Sequence, residues 1–321
     1  MRVIIFARLI NDLFTRLLVA LTQIARTIAR CWTGSLAIGL LSACARATQP
    51  HDASSTPARV VQVQVPRVSL FPKRRVVAFY GEPGVPAMGV LGGATLEVVG
   101  KRLERQAHAY ARFGRTVTPA FEEIVVAAQS APGANAFYHG PPDFAHARMY
   151  LAAARKMSGL LLLDIQPGRE HFLPLVRRFE TLLREPDVGL ALDPEWEMGS
   201  SELPGKTVGG TSAREVNTVA AYLAAIVRKY RLPQKLFVIH QFTPGMIAHR
   251  EEVRSLPELA TTFHVDGFGG RPFKLVQYKI LATRDRRFAN GFKLFYDQDP
   301  KMFAPRDVMR LIPQPDLITY Q

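Results

Sequence analysis

A chain of 321 residues, 48% hydrophobic and 21% charged, can bury a full core, which removes any need for a disulfide framework or a metal staple. The formal charge is +14; Arg2, Arg8, Arg16, Arg26 and Arg30 against Asp12 put +4 of it in residues 1–44 and leave +10 for the rest. That excess suits an anionic neighbour, either phospholipid head groups or an acidic wall polymer, with a generally basic composition as the plain alternative. No stacking platform or nucleic-acid-binding motif accompanies it, so nucleic acid is not an expected partner.

In chain order, Leu9, Ile10, Leu13, Leu17, Leu18 and Leu21 recur at helical spacing with Arg8, Asp12 and Arg16 between them. This reads as a membrane-surface helix or as an over-extended gene start. Residues 32–43 form a short apolar run behind arginines and before small residues, which is signal-peptide grammar and too short for a comfortable membrane span. Leu41-Ser42-Ala43-Cys44 resembles the lipobox of bacterial lipoproteins. The resemblance implies a diacylglyceryl thioether on Cys44, which becomes the new N-terminus, with residues 1–43 removed. A plain signal peptide cut near Ala45 or Ala47 is the alternative. Since Cys31 and Cys44 are the two cysteines, a chain beginning at Cys44 has no disulfide. Residues 44–71 are small, polar and proline-bearing, a flexible tether, and the folded domain is expected over 72–321.

From residue 75 apolar and β-branched runs alternate with helical stretches. The predicted strands are Val76–Gly81, Val117–Ile124, Leu160–Gln166, Val188–Trp196, Leu236–Phe242, Thr262–Phe268, Phe292–Asp297 and Leu317–Gln321. Helices are expected near 94–113, 144–157, 169–184, 212–230, 245–255, 270–283 and 304–311. Ser212 with Glu215 three residues on reads as a capping box. Eight such units predict a single-domain α/β fold, a (β/α)8 barrel. The first turn, Gly81-Glu82-Pro83-Gly84-Val85-Pro86, lacks the glycine pattern of a dinucleotide site, so no cofactor is expected. No helix follows the eighth strand, and the segment at 50–71 is a candidate to cover that gap. Gly267-Phe268-Gly269-Gly270 reads as a tight turn ahead of an anion-binding nest.

Chemistry in such barrels sits at the C-terminal strand ends. Those ends carry Tyr80; Glu122 and Glu123; Asp164 and Gln166; Asp193, Glu195 and Trp196; His240 and Gln241; His264 and Asp266; Tyr296 and Asp297; and Tyr320 and Gln321. Residues two apart on a strand share a face, so Asp193 and Glu195 should point together into the mouth. Clustered buried carboxyls should raise at least one pKa, as a general acid requires. Each acid alone has the plainer reading of a helix cap, and each histidine that of a structural hydrogen-bonder.

Asp193-Pro194-Glu195-Trp196 resembles the strand-four D-x-E of the family-18 chitinases and family-25 muramidases. The resemblance implies Glu195 as proton donor, Asp193 as the residue that orients it, raises its pKa or steadies a substrate acyl group, and Trp196 stacked on a sugar. Two upstream aspartates of the longer chitinase pattern are replaced by Val188 and Ala191. Residues 75–321 also resemble a group of secreted actinobacterial-type barrel proteins, which implies the fold and carries no activity. The leading expectation is a monomeric, lipid-anchored, extracytoplasmic hydrolase of an envelope or extracellular glycan. Glu195 is its acid, and Asp193, Asp266 or Asp297 is the partner carboxylate. Tyr80, Glu122, Asp164, Gln166, Trp196, His240, Gln241, Tyr296 and Tyr320 would line the substrate site. A metal-dependent barrel hydrolase, for which Asp164, Glu195, His240, His264 and Asp266 include acceptable ligands, and a non-catalytic glycan-binding protein remain the alternatives. The absence of H-x-H on strand one and of HExxH weighs against the metal enzyme, so no metal ligand is assigned.

Overall fold

The computed structural model describes residues 69–321; the leader, Cys44 and most of the tether lie outside the described residues. The described residues form one compact unit. Its centre is a closed barrel of parallel strands in chain order, with the last strand pairing back onto the first. They are β1 (Arg74–Gly81), β2 (Thr116–Val126), β3 (Leu160–Ile165), β4 (Val188–Leu192), β5 (Lys235–Gln241), β6 (Leu259–Val265), β7 (Ala289–Leu294) and β8 (Leu317–Tyr320). Helices α1 (Leu96–Ala111), α2 (Phe144–Lys156), α3 (Phe172–Arg178), α4 (Glu180–Leu183), α5 (Ala213–Lys229), α6 (Arg271–Leu281) and α7 (Pro305–Val308) occupy the connections. This is the expected (β/α)8 barrel.

Strand alternation divides the apolar residues into two layers. Val76, Ala78, Ala120, Leu162, Ala191, Leu236, Val238, Ala260 and Leu317 pack together inside the barrel. Their strand neighbours Val77, Phe79, Phe121, Leu161, Leu163, Leu190 and Phe237 belong to the layer under the helices. Leu70 and Phe71 pack against the inner cluster and so plug the N-terminal end of the barrel. For the residues described, the entering segment therefore closes the foot instead of covering the flank beside β8.

Several boundaries differ from expectation for local reasons. β4 stops at Leu192, because Asp193-Pro194 turns the chain into a 3-10 helix over Pro194–Trp196; proline has no amide for the ladder. No α-helix forms at 245–255. That stretch holds a 3-10 turn (Pro244–Met246), a two-residue bridge of Ile247–Ala248 to Thr211–Ser212, and a second 3-10 turn (Arg250–Glu252). His249 between them is left-handed, with φ of 55°, a conformation that ends a helix. Ser212 caps α5 by accepting from the Glu215 amide at 3.2 Å. The other half of the capping box is diverted: the Glu215 carboxylate accepts the Phe172 amide at 2.9 Å. The glycine turn after β6 is not an open nest. Its Gly267 and Gly269 amides donate to the carboxylates of Asp266 and Asp299.

Candidate active site

Extending the inward parity of each strand past the apolar plug brings polar residues to the C-terminal mouth. β1 supplies Tyr80, β2 Glu122, β3 Asp164, β5 His240, β6 His264, β7 Lys293 and β8 Thr319, all buried, and Asp193 and Asp266 follow the ends of β4 and β6. Parallel register sets Tyr80 beside Glu122 and His240 beside His264. His264 has room because its neighbour in β7 is Gly291, where a Cβ would overlap the imidazole.

A chain of charge-assisted bonds crosses the mouth. The Thr319 hydroxyl donates to Glu122 Oε2 at 3.0 Å, and Glu122 Oε1 lies 3.0 Å from His240 Nε2. His240 Nδ1 is 2.9 Å from Asp266 Oδ2, which also accepts from Lys293 Nζ at 2.9 Å. The same ammonium sits 3.5 Å from the centre of the Tyr80 ring. The Tyr80 hydroxyl lies 3.5 Å from both Asp164 Oδ1 and Asp193 Oδ2 and accepts from Gln166 Nε2 at 3.2 Å. Asp164 is thus a member of the mouth and caps no helix.

The protonation states follow from these partners. Burial alone would neutralise His240, but its bonds to Asp266 and Glu122 outweigh it and hold the imidazole charged, with a proton on each nitrogen. Burial would likewise raise Glu122, yet the bond to His240 and its charge keep that carboxyl below its ordinary value. Asp266 is held ionised, against burial, by Lys293 and His240. Lys293 stays charged, against burial, because Asp266, Asp193 and Glu122 face it. His264 is pushed down to about 3, by burial and then by the charge on His240, so it is neutral. Two ionised carboxylates therefore balance two cations. The remaining acids are driven towards their protonated forms. Burial and then Asp193 raise Asp164 well above the carboxylate range, and burial raises Asp193. Glu195 is pushed up to about 8 by burial, then by the charges of Asp193 and Asp266.

Glu195 reaches this cluster from the 3-10 turn after β4, not by strand alternation as expected. It is partly exposed at the rim, as is Trp196 beside it. The Gly209 amide donates to the Glu195 carbonyl at 2.7 Å and fixes the turn. Four polar atoms of the mouth keep unused capacity: Asp164 Oδ2, Asp193 Oδ1 and both ring nitrogens of His264 have no hydrogen-bond partner among the described residues.

Four predicted residues are not in the mouth. Asp297 is exposed in the turn after β7. Tyr296 is also exposed there, stacked on Tyr320 at 5.5 Å. Tyr320 faces outward and bonds the Tyr110 hydroxyl at 2.7 Å in the layer beneath α1. Gln241 is buried on the outward parity of β5 and donates to the carbonyls of Thr243 and Pro244. Sequence reasoning also missed two members. β7 ends three residues before the predicted Asp297, so its inward polar residue is Lys293, flanked by Phe292 and Leu294. On β8 it is Thr319, two residues after the inward Leu317.

Glu122, Asp164 and His240 each offer an atom within 4.8 Å of the others and form a possible cation site. Asp266 on His240 Nδ1 would be the carboxylate that orients such an imidazole. No protein-family model matches the chain and no curated protein matches it by sequence, so the functional reading rests on this geometry.

Proposed function

We propose that the protein is a glycoside-hydrolase-like enzyme acting on an envelope or extracellular glycan, held as a monomer at the extracytoplasmic face through a lipid on Cys44. The observation that carries the reading is the position of Glu195, a half-buried residue beside an otherwise buried acidic mouth, whose carboxyl is pushed up to about 8 chiefly by burial. A proton donor must meet both the substrate and the groups that keep it protonated, and Glu195 occupies that boundary. In this reading Glu195 gives its proton to the glycosidic oxygen as the bond to the anomeric carbon breaks. Asp193, whose Oδ1 is unpartnered among the described residues, is placed to turn that oxygen towards the positive charge developing there, with no proton gained or lost. Water then adds hydroxide to the anomeric carbon, and its proton goes to an ionised carboxylate, so the site returns to its starting charge. Trp196 at the same rim offers a face for a sugar ring.

The test is release of reducing ends from purified peptidoglycan and from chitin oligosaccharides by the purified chain and by Glu195→Gln. Release by the wild type, lost in the variant, supports the assignment; tight glycan binding without release replaces it with a non-catalytic binding role. Metal-assisted hydrolysis is a second reading, favoured by the Glu122–Asp164–His240 grouping. Activity that disappears after chelation and returns with a divalent cation would select it.

A further inference from the structure

A second group of ligating side chains lies outside the mouth. His171, at the start of α3, places Nδ1 at 3.3 Å from Glu197 Oε1 and 3.3 Å from Glu215 Oε2. The three atoms all lie within 4.8 Å of one another. Glu197 belongs to the loop after β4, and Glu215 to the first turn of α5.

Each position is set by bonds that leave a ligand atom spare. Glu215 is fixed by the Ser212 cap and gives Oε1 to the Phe172 amide, which leaves Oε2 for the group. The Glu197 backbone is bridged to Gly168 and receives the Gly210 amide at 3.2 Å. A Cβ at Gly209 would overlap the Glu197 carbonyl, so glycine is needed there for the close approach. The Glu197 side chain is 10% exposed, and its Oε2 has no hydrogen-bond partner of good geometry among the described residues.

The geometry points to a binding site for a divalent cation of the zinc class, with His171 Nδ1, Glu197 and Glu215 as ligands and a fourth position open to solvent. Metal–ligand bonds of about 2.0–2.1 Å in a tetrahedron separate the ligand atoms by roughly 3.3 Å. Both histidine–carboxylate spacings match that separation. An imidazole among the ligands disfavours calcium and magnesium, which select all-oxygen shells. A cation here would clasp the segment leading into α3, the loop after β4 and the start of α5. It would thereby steady the turn that carries Glu195, two residues before Glu197. This inference does not depend on the glycosidase reading.

The test is a cobalt(II) titration of the tag-free full chain after chelator washing, followed by displacement with zinc. One equivalent should bind with the intense visible absorption of tetrahedral cobalt, and zinc should raise the melting temperature. In His171→Ala, whose parent side chain is 78% exposed and whose fold is to be checked by circular dichroism, affinity should fall at least about tenfold with no thermal shift. Glu197→Gln should behave likewise. An unchanged midpoint in His171→Ala, or no binding by the wild type, overturns the proposal and leaves an ordinary ion-pair cluster. Binding that survives His171→Ala but is lost in His240→Ala places the cation in the mouth and overturns it too.

Discussion

Two buried lysines near opposite ends of the barrel have opposite surroundings. Lys293 at the mouth bonds the Asp266 carboxylate and lies over the Tyr80 ring. Lys235 at the foot, where β5 begins, donates only to peptide oxygens, those of Glu185 at 2.6 Å and Val188 at 2.7 Å. Carboxylates stabilise a buried ammonium more than carbonyl dipoles do. At Lys293 the carboxylates therefore overcome burial and the pKa rises, whereas at Lys235 burial prevails and the pKa falls to about 8. The foot uses a single charge to tie one strand to its neighbour. The mouth holds a balanced array in which removal of one member disturbs every other protonation state.

The largest expected consequence is for Lys293→Met. It leaves Asp266 and Glu122 sharing the single cation His240, with one negative charge uncompensated, and should lower unfolding free energy by about 3–5 kcal/mol in chemical denaturation. Lys235→Met should cost less, about 1–3 kcal/mol, because it leaves two carbonyls unpaired but no charge. A greater loss for Lys235→Met than for Lys293→Met would break the contrast between the two ends.

The subtlest signature is the slope of stability with pH. Between about 8 and 10.5 the unfolded chain holds more protons at Lys235 than the folded one does, so stability from this residue rises with pH across that window. Lys293 has the opposite sign. Its contribution is complete below the ordinary lysine value of 10.5 and is lost as pH climbs through its raised folded value. Denaturation midpoints of each Met variant against the wild type, measured across alkaline pH, should therefore diverge in opposite directions.

The barrel was legible in the sequence because its evidence is repeated: a buried parallel strand reads as an apolar run, and eight such runs alternate with helical spacing. Much of the mouth was legible through parity, which put Tyr80, Glu122, Asp164 and His240 on the inward face. Parity fails where a strand end is misplaced. A shift of three residues at the end of β7 exchanged Lys293 for Asp297, and the single step from Thr319 to Tyr320 exchanged an inward hydroxyl for an outward ring. Glu122 and Glu123 show how little composition says about such a step. The first is bonded and ionised inside the barrel. The second is buried on the outer face with neither oxygen partnered and is pushed up to about 9, chiefly by burial. The His171–Glu197–Glu215 group was not legible at all, because its members come from three segments joined only by the fold.

The most direct test of Glu195 as the proton donor compares two leaving groups on one sugar, an unactivated oligosaccharide and a dinitrophenyl glycoside. Glu195→Gln should lose about 10²–10⁴-fold in kcat/KM on the oligosaccharide, which needs its departing oxygen protonated, and less than about tenfold on the dinitrophenyl glycoside, which does not. An equal loss on both substrates, or no loss on either, would contradict the account.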